Sequence, residues 1–170
     1  FNHQLTREKI HLTNLSFVGI VEPEIGYIRL DDFTPGAAEE VSNALLQLKA
    51  KGIEKIILDV RNNPGGLLHE AVNIVSLFID KGLEVVSTKG KLEEWNKSYK
   101  TLNAPIDKEI QLAVLVGEGS ASASEIVAGG LQDYDRAVLI GQRTFGKGLV
   151  QTTRPLAYNT QLKVTTAKYY

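Results

Sequence analysis

A serine hydroxyl attacks a carbonyl carbon only when a nearby base takes its proton. In Gly119-Ser120-Ala121-Ser122-Ala123-Ser124-Glu125, serines recur at every second position in a turn of small residues. Ser122 and Glu125 have the S-x-x-E spacing of a capping box, so one reading makes Ser122 a helix N-cap. The same position has a chemical use. A hydroxyl at a helix N-terminus lies in the positive end of the dipole, among amides that lack an intrahelical acceptor. Such amides stabilise an oxyanion. Alanines on both sides leave room for a substrate backbone.

Histidine is the usual base. The chain has His3, His11 and His69. The first two fall in an N-terminal stretch without regular pattern. His69 follows Gly66 on a helix, has no acid evidently set to orient it, and reads as a surface or supporting residue. A lysine can serve instead if it is held neutral. Lowering its pKa from about 10.4 to about 7.5 costs roughly 4 kcal/mol, so the amine must be desolvated and kept from carboxylates. Thr144-Phe145-Gly146-Lys147-Gly148 offers a lysine between glycines, with an aromatic neighbour and no adjacent acid. The competing reading is an exposed loop lysine. A phosphate loop fits poorly, because G-x-x-x-x-G-K-[ST] needs a hydroxyl after the lysine and a helix behind it. Here Gly148 is followed by the strand-like Leu149-Val150-Gln151. The third element is Asn63-Pro64-Gly65-Gly66. Its amides can form an anion nest, or it is a tight strand-to-helix connection.

Strands are expected at Leu15–Val21, Ile25–Leu30, Ile53–Val60, Leu83–Ser87, Leu112–Val116 and Ala137–Ile140. Ile56 to Val60 suits a strand buried on both faces. Helices are expected at Ala37–Lys51, with Thr34 as N-cap and Pro35 in the first turn, at Leu67–Ile79 and at Ser122–Tyr134. In the first of these Val41, Leu45 and Leu48 share a face, with Leu46 beside it. Residues 88–109 read as an irregular polar excursion anchored by Trp95 and Tyr99. Val150–Leu156 and Thr160–Ala167 read as a closing β-hairpin. Strands alternating with helices imply an α/β fold with a mainly parallel sheet and crossover helices. Functional groups then collect at the carboxyl ends of strands, between the loops Arg61–Gly66 and Gly117–Ala121.

A chain of 170 residues, 43% hydrophobic, can bury its own core. A net charge of −1 gives no footprint for nucleic acid. The absence of cysteine excludes disulfides, thiolate nucleophiles and zinc–thiolate sites. The histidines lack ligand spacing, so neither a metal nor another cofactor is expected. No apolar run approaches the roughly 20 residues of a membrane span, and no stretch of these residues has the pattern of a signal peptide, which carries no weight for a piece of a longer protein. The chain starts at Phe1 and holds no methionine, so it is expected to be a piece of a longer or processed protein.

Together the motifs resemble the carboxyl-terminal processing, or tail-specific, proteases of the S41 serine peptidase family. The matching segments are Gly26–Leu30, Leu58–Gly66, Gly119–Glu125 with Leu131-Gln132-Asp133, and Gly141–Gln151. The resemblance implies a crotonase/ClpP-like ββα core over residues 23–170, truncated at its C-terminus. Residues 1–22 are then the tail of an upstream PDZ-type domain and a linker, with Phe1–His11 as that domain's last strand. It further implies Ser122 as nucleophile, Lys147 as general base, Gln151 orienting the lysine, and the amides of Ala123 and Gly66 as oxyanion hole. Asp133 takes a structural role. The implied substrate is a polypeptide recognised at its C-terminus by the PDZ-type domain. The implied location is outside the cytoplasm, in bacterial periplasm or envelope. Two rival classes share the fold: a non-catalytic binding module, and a crotonase-type acyl-CoA enzyme, which needs a CoA pocket and a carboxylate acid/base.

Overall fold

The computed structural model describes residues 3, 4, 6, 10 and 12–170. Most of the Phe1–His11 segment, expected as a strand of an upstream domain, lies outside the described residues. The elements in chain order are β1 (Leu15–Glu22), β2 (Ile25–Leu30), α1 (Ala37–Lys49), β3 (Lys55–Asp59), α2 (Leu68–Val75), β4 (Glu84–Gly90), β5 (Lys97–Lys100), β6 (Gln111–Val116), α3 (Ala123–Asp133), β7 (Val138–Gly141), β8 (Leu149–Pro155) and β9 (Gln161–Tyr169).

One sheet has the order β1-β2-β3-β6-β7, with β1 antiparallel and the rest parallel. From β2 onward each crossover steps to the next strand in the same direction. Right-handed crossovers taken in one direction all fall on one face. Burial agrees with that geometry. Ile28, Leu30, Ile56, Leu58 and Val114 lie under Val41, Leu45, Ile74, Val75, Val127 and Leu131, all at most 1% exposed. Each such side chain contributes about 1.5–3 kcal/mol of burial. The opposite face carries Tyr27, Ile57, Ala113 and Leu115 half-buried, with Val138 and Ile140 exposed. The expectation that β3 is buried on both faces is therefore corrected: one face of this parallel sheet is open.

The second sheet is antiparallel, in the order β5-β4-β9-β8. It contains the expected closing hairpin, β8–β9, and joins it to β4 through Thr88↔Tyr169 to Gly90↔Ala167. Residues 88–109 are not an irregular excursion throughout. They include a one-turn 3₁₀ helix at Glu93–Trp95 and strand β5, whose Lys97-Ser98-Tyr99-Lys100 sequence has no apolar alternation to announce it. The Thr88 hydroxyl donates to the Trp95 carbonyl at 2.7 Å and accepts the Lys97 amide at 3.2 Å, closing this hairpin.

Helix ends differ from expectation, by one or two residues at most of them and in kind at the start of α1 and the end of α2. The N-cap of α1 is Gly36, not Thr34. Its amides at Gly36 and Ala38 donate to the Glu70 carboxylate of α2 at 3.0 and 2.8 Å, a cap supplied from another helix. Helix α2 stops at Val75 rather than Ile79, because the Leu77 and Phe78 amides turn to carbonyls three residues back. Leu46 points away from the core and is 50% exposed. Residues 15–22, expected to belong to a linker, pair along β2 and form the edge of the main sheet.

Candidate active site

The loops Arg61–Gly66 and Gly117–Ala121 leave the carboxyl ends of the adjacent parallel strands β3 and β6, and they touch. A Cβ built on Gly119 falls 2.7 Å from the Asn62 Cα, and one built on Gly65 falls 2.6 Å from the Ala121 carbonyl and 2.8 Å from the Ala123 amide nitrogen. No side chain fits at either contact. Gly65 also has φ +94°, which glycine tolerates and other residues resist.

Asn63, fully buried, ties this turn on both sides. Its Nδ2 donates to the Leu30 carbonyl at 2.9 Å, and its Oδ1 accepts the Gly65 amide at 2.9 Å. Its carbonyl accepts the Ala121 amide at 3.1 Å and the Ser124 hydroxyl at 2.9 Å. Ser120 donates to the Val60 carbonyl at 2.7 Å. The outer two serines of the S-x-S-x-S run are thus buried staples, and the middle one is presented to the cleft. The turn is anchored at its start by Asp59, whose carboxylate accepts from Arg61 Nη2 at 2.7 Å and from the Tyr27 hydroxyl. Burial pulls that carboxyl upward, and the bonds from Arg61 and Tyr27 outweigh it, holding Asp59 below the usual carboxylate range.

Ser122 stands at the N-cap of α3 with φ 56° and ψ −112°. Such a conformation costs a non-glycine residue on the order of 1–3 kcal/mol and is held only by its surroundings. Ser122 and Glu125 occupy capping-box positions. The Ser122 amide donates to Glu125 Oε2 at 2.8 Å, whereas the Glu125 amide goes to the Ser122 carbonyl at 2.9 Å. The Ser122 hydroxyl makes no helix-capping hydrogen bond.

Glu125 has a larger part than its spacing suggested. Its carboxylate also accepts the Thr144 hydroxyl at 2.8 Å and the amides of Gly146 and Lys147 at 2.7 and 2.8 Å. Burial raises its pKa, and these bonds together bring it below the ordinary value. One acid thus joins the serine turn to the lysine loop. With four donors on it, it fixes the backbone of Lys147, whose ammonium forms no ion pair within 4 Å among the described residues. Only the tertiary fold brings the pair 125 and 144–147 together, so local spacing gave no signal for it.

Ser122, Lys147, Gln151, Gly65 and Gly66 line one cleft of about 320 Å³. No direct hydrogen bond joins Ser122 to Lys147, and Gln151 is exposed on β8. Ala123 does not line this cleft itself but lies just behind the Gly65 turn, where a Cβ on Gly65 would fall 2.8 Å from its nitrogen. The amides of Ala123 and Gly66 donate to no described residue, while their neighbours Ser122 and Gly65 are engaged. Asp133 is exposed at the outer end of an adjoining cavity. His69 is 63% exposed at its side chain, 3.6 Å from Glu70. His11 lies outside the described residues. Among the described residues no three His, Cys, Asp or Glu side chains converge as metal ligands.

A hydroxyl at a strained strand-to-helix turn thus shares one cleft with a lysine, a glutamine and the Gly65-Gly66 turn, an arrangement that can support nucleophilic acyl transfer. The chain belongs to peptidase family S41, whose model matches residues 24–170. It is 42% identical over 169 residues to the "Probable CtpA-like serine protease" of Staphylococcus aureus (strain COL), covering 98% of this chain and 33% of that protein. The protein of the same name from Staphylococcus epidermidis (strain ATCC 12228 / FDA PCI 1200) is 40% identical with the same coverage. The chain therefore spans about a third of the length of these curated relatives. Among solved structures, the photosystem II D1 C-terminal processing protease superposes with a TM-score of 0.79 at 34% identity, over 99% of this chain and 46% of that one. Mature CPAF shares the fold, with a TM-score of 0.66 at 16% identity over 85% of this chain and 42% of that one.

Proposed function

We propose that this chain is the catalytic core of a serine endopeptidase that cleaves polypeptides, near their C-termini, by acyl transfer through a Ser122–Lys147 dyad. The observation that supports the reading is the shared cleft lined by Ser122, Lys147, Gln151 and Gly66, with the unengaged Ala123 amide behind the adjoining Gly65 turn. Neutral Lys147 takes the Ser122 proton as the oxygen attacks the scissile carbonyl. The resulting oxyanion is received by the Ala123 and Gly66 amides. Protonated Lys147 then delivers its proton to the leaving amine, and water hydrolyses the acyl-enzyme with Lys147 again as base. Gln151 orients the amine. The hydroxyl and amine close to bonding distance when substrate is bound, as catalytic hydrogen bonds often do.

The likeness to the D1 C-terminal processing protease supports the choice of C-termini as target. The same reading assigns recognition of the substrate's C-terminus to an upstream PDZ-type domain and locates the protein outside the cytoplasm, in periplasm or envelope. Among the described residues no helix is long and apolar enough to cross a membrane.

The test is cleavage by the full-length protein and labelling of Ser122 by a fluorophosphonate. Ser122→Ala and Lys147→Ala are each expected to lower kcat by at least about 10³-fold, as removal of a nucleophile or its base does. Cleavage by the Lys147→Ala variant within twofold of the parent would overturn the dyad.

A further inference from the structure

Beside the nucleophile a second cavity, of about 330 Å³, runs along α3. Ser122, Ile126, Gly129 and Asp133 are spaced by four, three and four residues, so one stripe of the helix forms its floor. Val85 and Val86 of β4 face that stripe.

Two glycines in the middle of α3 call for an explanation, since only proline suits a helix interior less well. Neither Gly129 nor Gly130 has a positive φ, so backbone conformation does not require them. Gly130 is a packing residue: a Cβ there comes within 3.2 Å of Val85 Cγ1. Gly129 is different. A Cβ there meets nothing within 4 Å, so no neighbour demands a glycine. The space it leaves empty is the cavity.

We propose that Gly129 is a specificity-determining residue, and that its missing side chain opens a pocket for one apolar side chain next to the scissile bond of the substrate. This rests on the serine-peptidase reading above. The walls favour one chemistry: Val85, Val86 and Ile126 suit an aliphatic or aromatic group, and of the charged groups that also line the cavity Glu125 is taken up by four donors, Lys147 belongs to the proposed dyad and Asp133 lies at the far end. The volume decides the number, because it lies at the lower end of the roughly 300–1,000 Å³ typical of small-molecule sites. Asp133 lies eleven residues from Ser122, about 16 Å along the helix axis at 1.5 Å per residue. It marks the solvent end of the cavity, beyond the reach of one apolar side chain from the reacting carbonyl.

The experiment uses the full-length protein and two peptide series. In each, one residue flanking the scissile bond is varied through Ala, Val, Leu, Phe, Lys and Asp. The quantity read is the ratio of kcat/KM for Leu or Phe to that for Ala. At one flanking position the parent is expected to favour the larger apolar residues. Gly129→Leu is expected to lower that ratio by about tenfold or more, within the 10–200-fold that pocket size commands. Gly129→Ala, which needs no rearrangement, is expected to lower it less, with no fall in Tm. Ratios within twofold of the parent in both variants would overturn the proposal, as would a uniform fall across the series or a parent preference for Lys or Asp. A parent that cleaves none of the peptides and leaves Ser122 unlabelled by fluorophosphonate would sink the peptidase reading, and this inference with it.

Discussion

Glu125 shows how one side chain can serve two loops. It receives the Ser122 amide from one side and the amides of Gly146 and Lys147, with the Thr144 hydroxyl, from the other. Glutamine has the same shape but one acceptor oxygen and an amide that faces donors. Glu125→Gln is expected to cost about 2 kcal/mol, towards the middle of the range for orphaned donors. Urea unfolding at pH 7 measures it. The pH dependence has a definite sign. Glu125 is held below its ordinary value of 4.5, so the folded state binds this proton less readily than the unfolded chain. Its stabilisation is complete above about 4.5 and is lost as pH falls through the lower folded value. The stability gap between parent and Glu125→Gln is therefore expected to narrow in acid. A gap that stays constant from pH 7 to pH 3 would mean that the carboxylate's charge is not what binds the loops.

The contact between the two turns depends on Asn63 more than on either strand. Asn63→Ala leaves the Leu30 carbonyl and the Gly65 amide without partners, at about 1–3 kcal/mol of stability. If Gly65 and Gly66 then drift from Ser122, kcat is expected to fall at least tenfold with KM little changed, since the oxyanion contacts of the proposed mechanism belong to the transition state. Ser124→Ala, which leaves the Ala121 amide on the Asn63 carbonyl, is expected to cost less on both counts. Steady-state kinetics beside thermal unfolding would separate the two, and equal losses in both variants would remove Asn63 from its central place. These contacts also mark what the sequence could and could not disclose. Alternating strands and helices located the two turns, because the periodicities are local. The S-x-S-x-S run alone did not tell the presented serine from the two staples, because all three share composition and only burial separates them. Strand β5, the Glu70 cap on α1 and the Glu125 bridge all depend on partners far along the chain. The open outer face was hidden for a related reason: Ile56-Ile57-Leu58 reads as apolar throughout, though Ile57 points away from the helices.

The chain's stretch shared with its family begins at residue 24, yet the fold begins earlier. Strand β1 covers the edge of β2, which would otherwise present unpaired amides and carbonyls. Just ahead of it, Asn14 is 1% exposed and closes a clasp. Its Nδ2 donates to Glu40 Oε1 at 2.9 Å, its Oδ1 accepts the Thr34 amide at 2.8 Å, and its carbonyl accepts the Asp31 amide at 2.9 Å. Burial pulls the Glu40 carboxyl upward, and the bonds from Thr13 and Asn14 bring it below its ordinary range. The clasp therefore fixes β1 to both α1 and the loop before it. Removal of residues 1–22 is expected to weaken the fold well beyond the about 1–3 kcal/mol expected for Asn14→Ala alone. Removal of residues 1–12 keeps Asn14 and β1 and is expected to change the urea midpoint little. If both truncations unfold at the same midpoint, β1 is an appendage and the sheet is stable from β2 onward. If only the longer one fails, the structural unit starts near residue 13, and the site at the far end of β3 and β6 rests on a five-stranded sheet rather than on four.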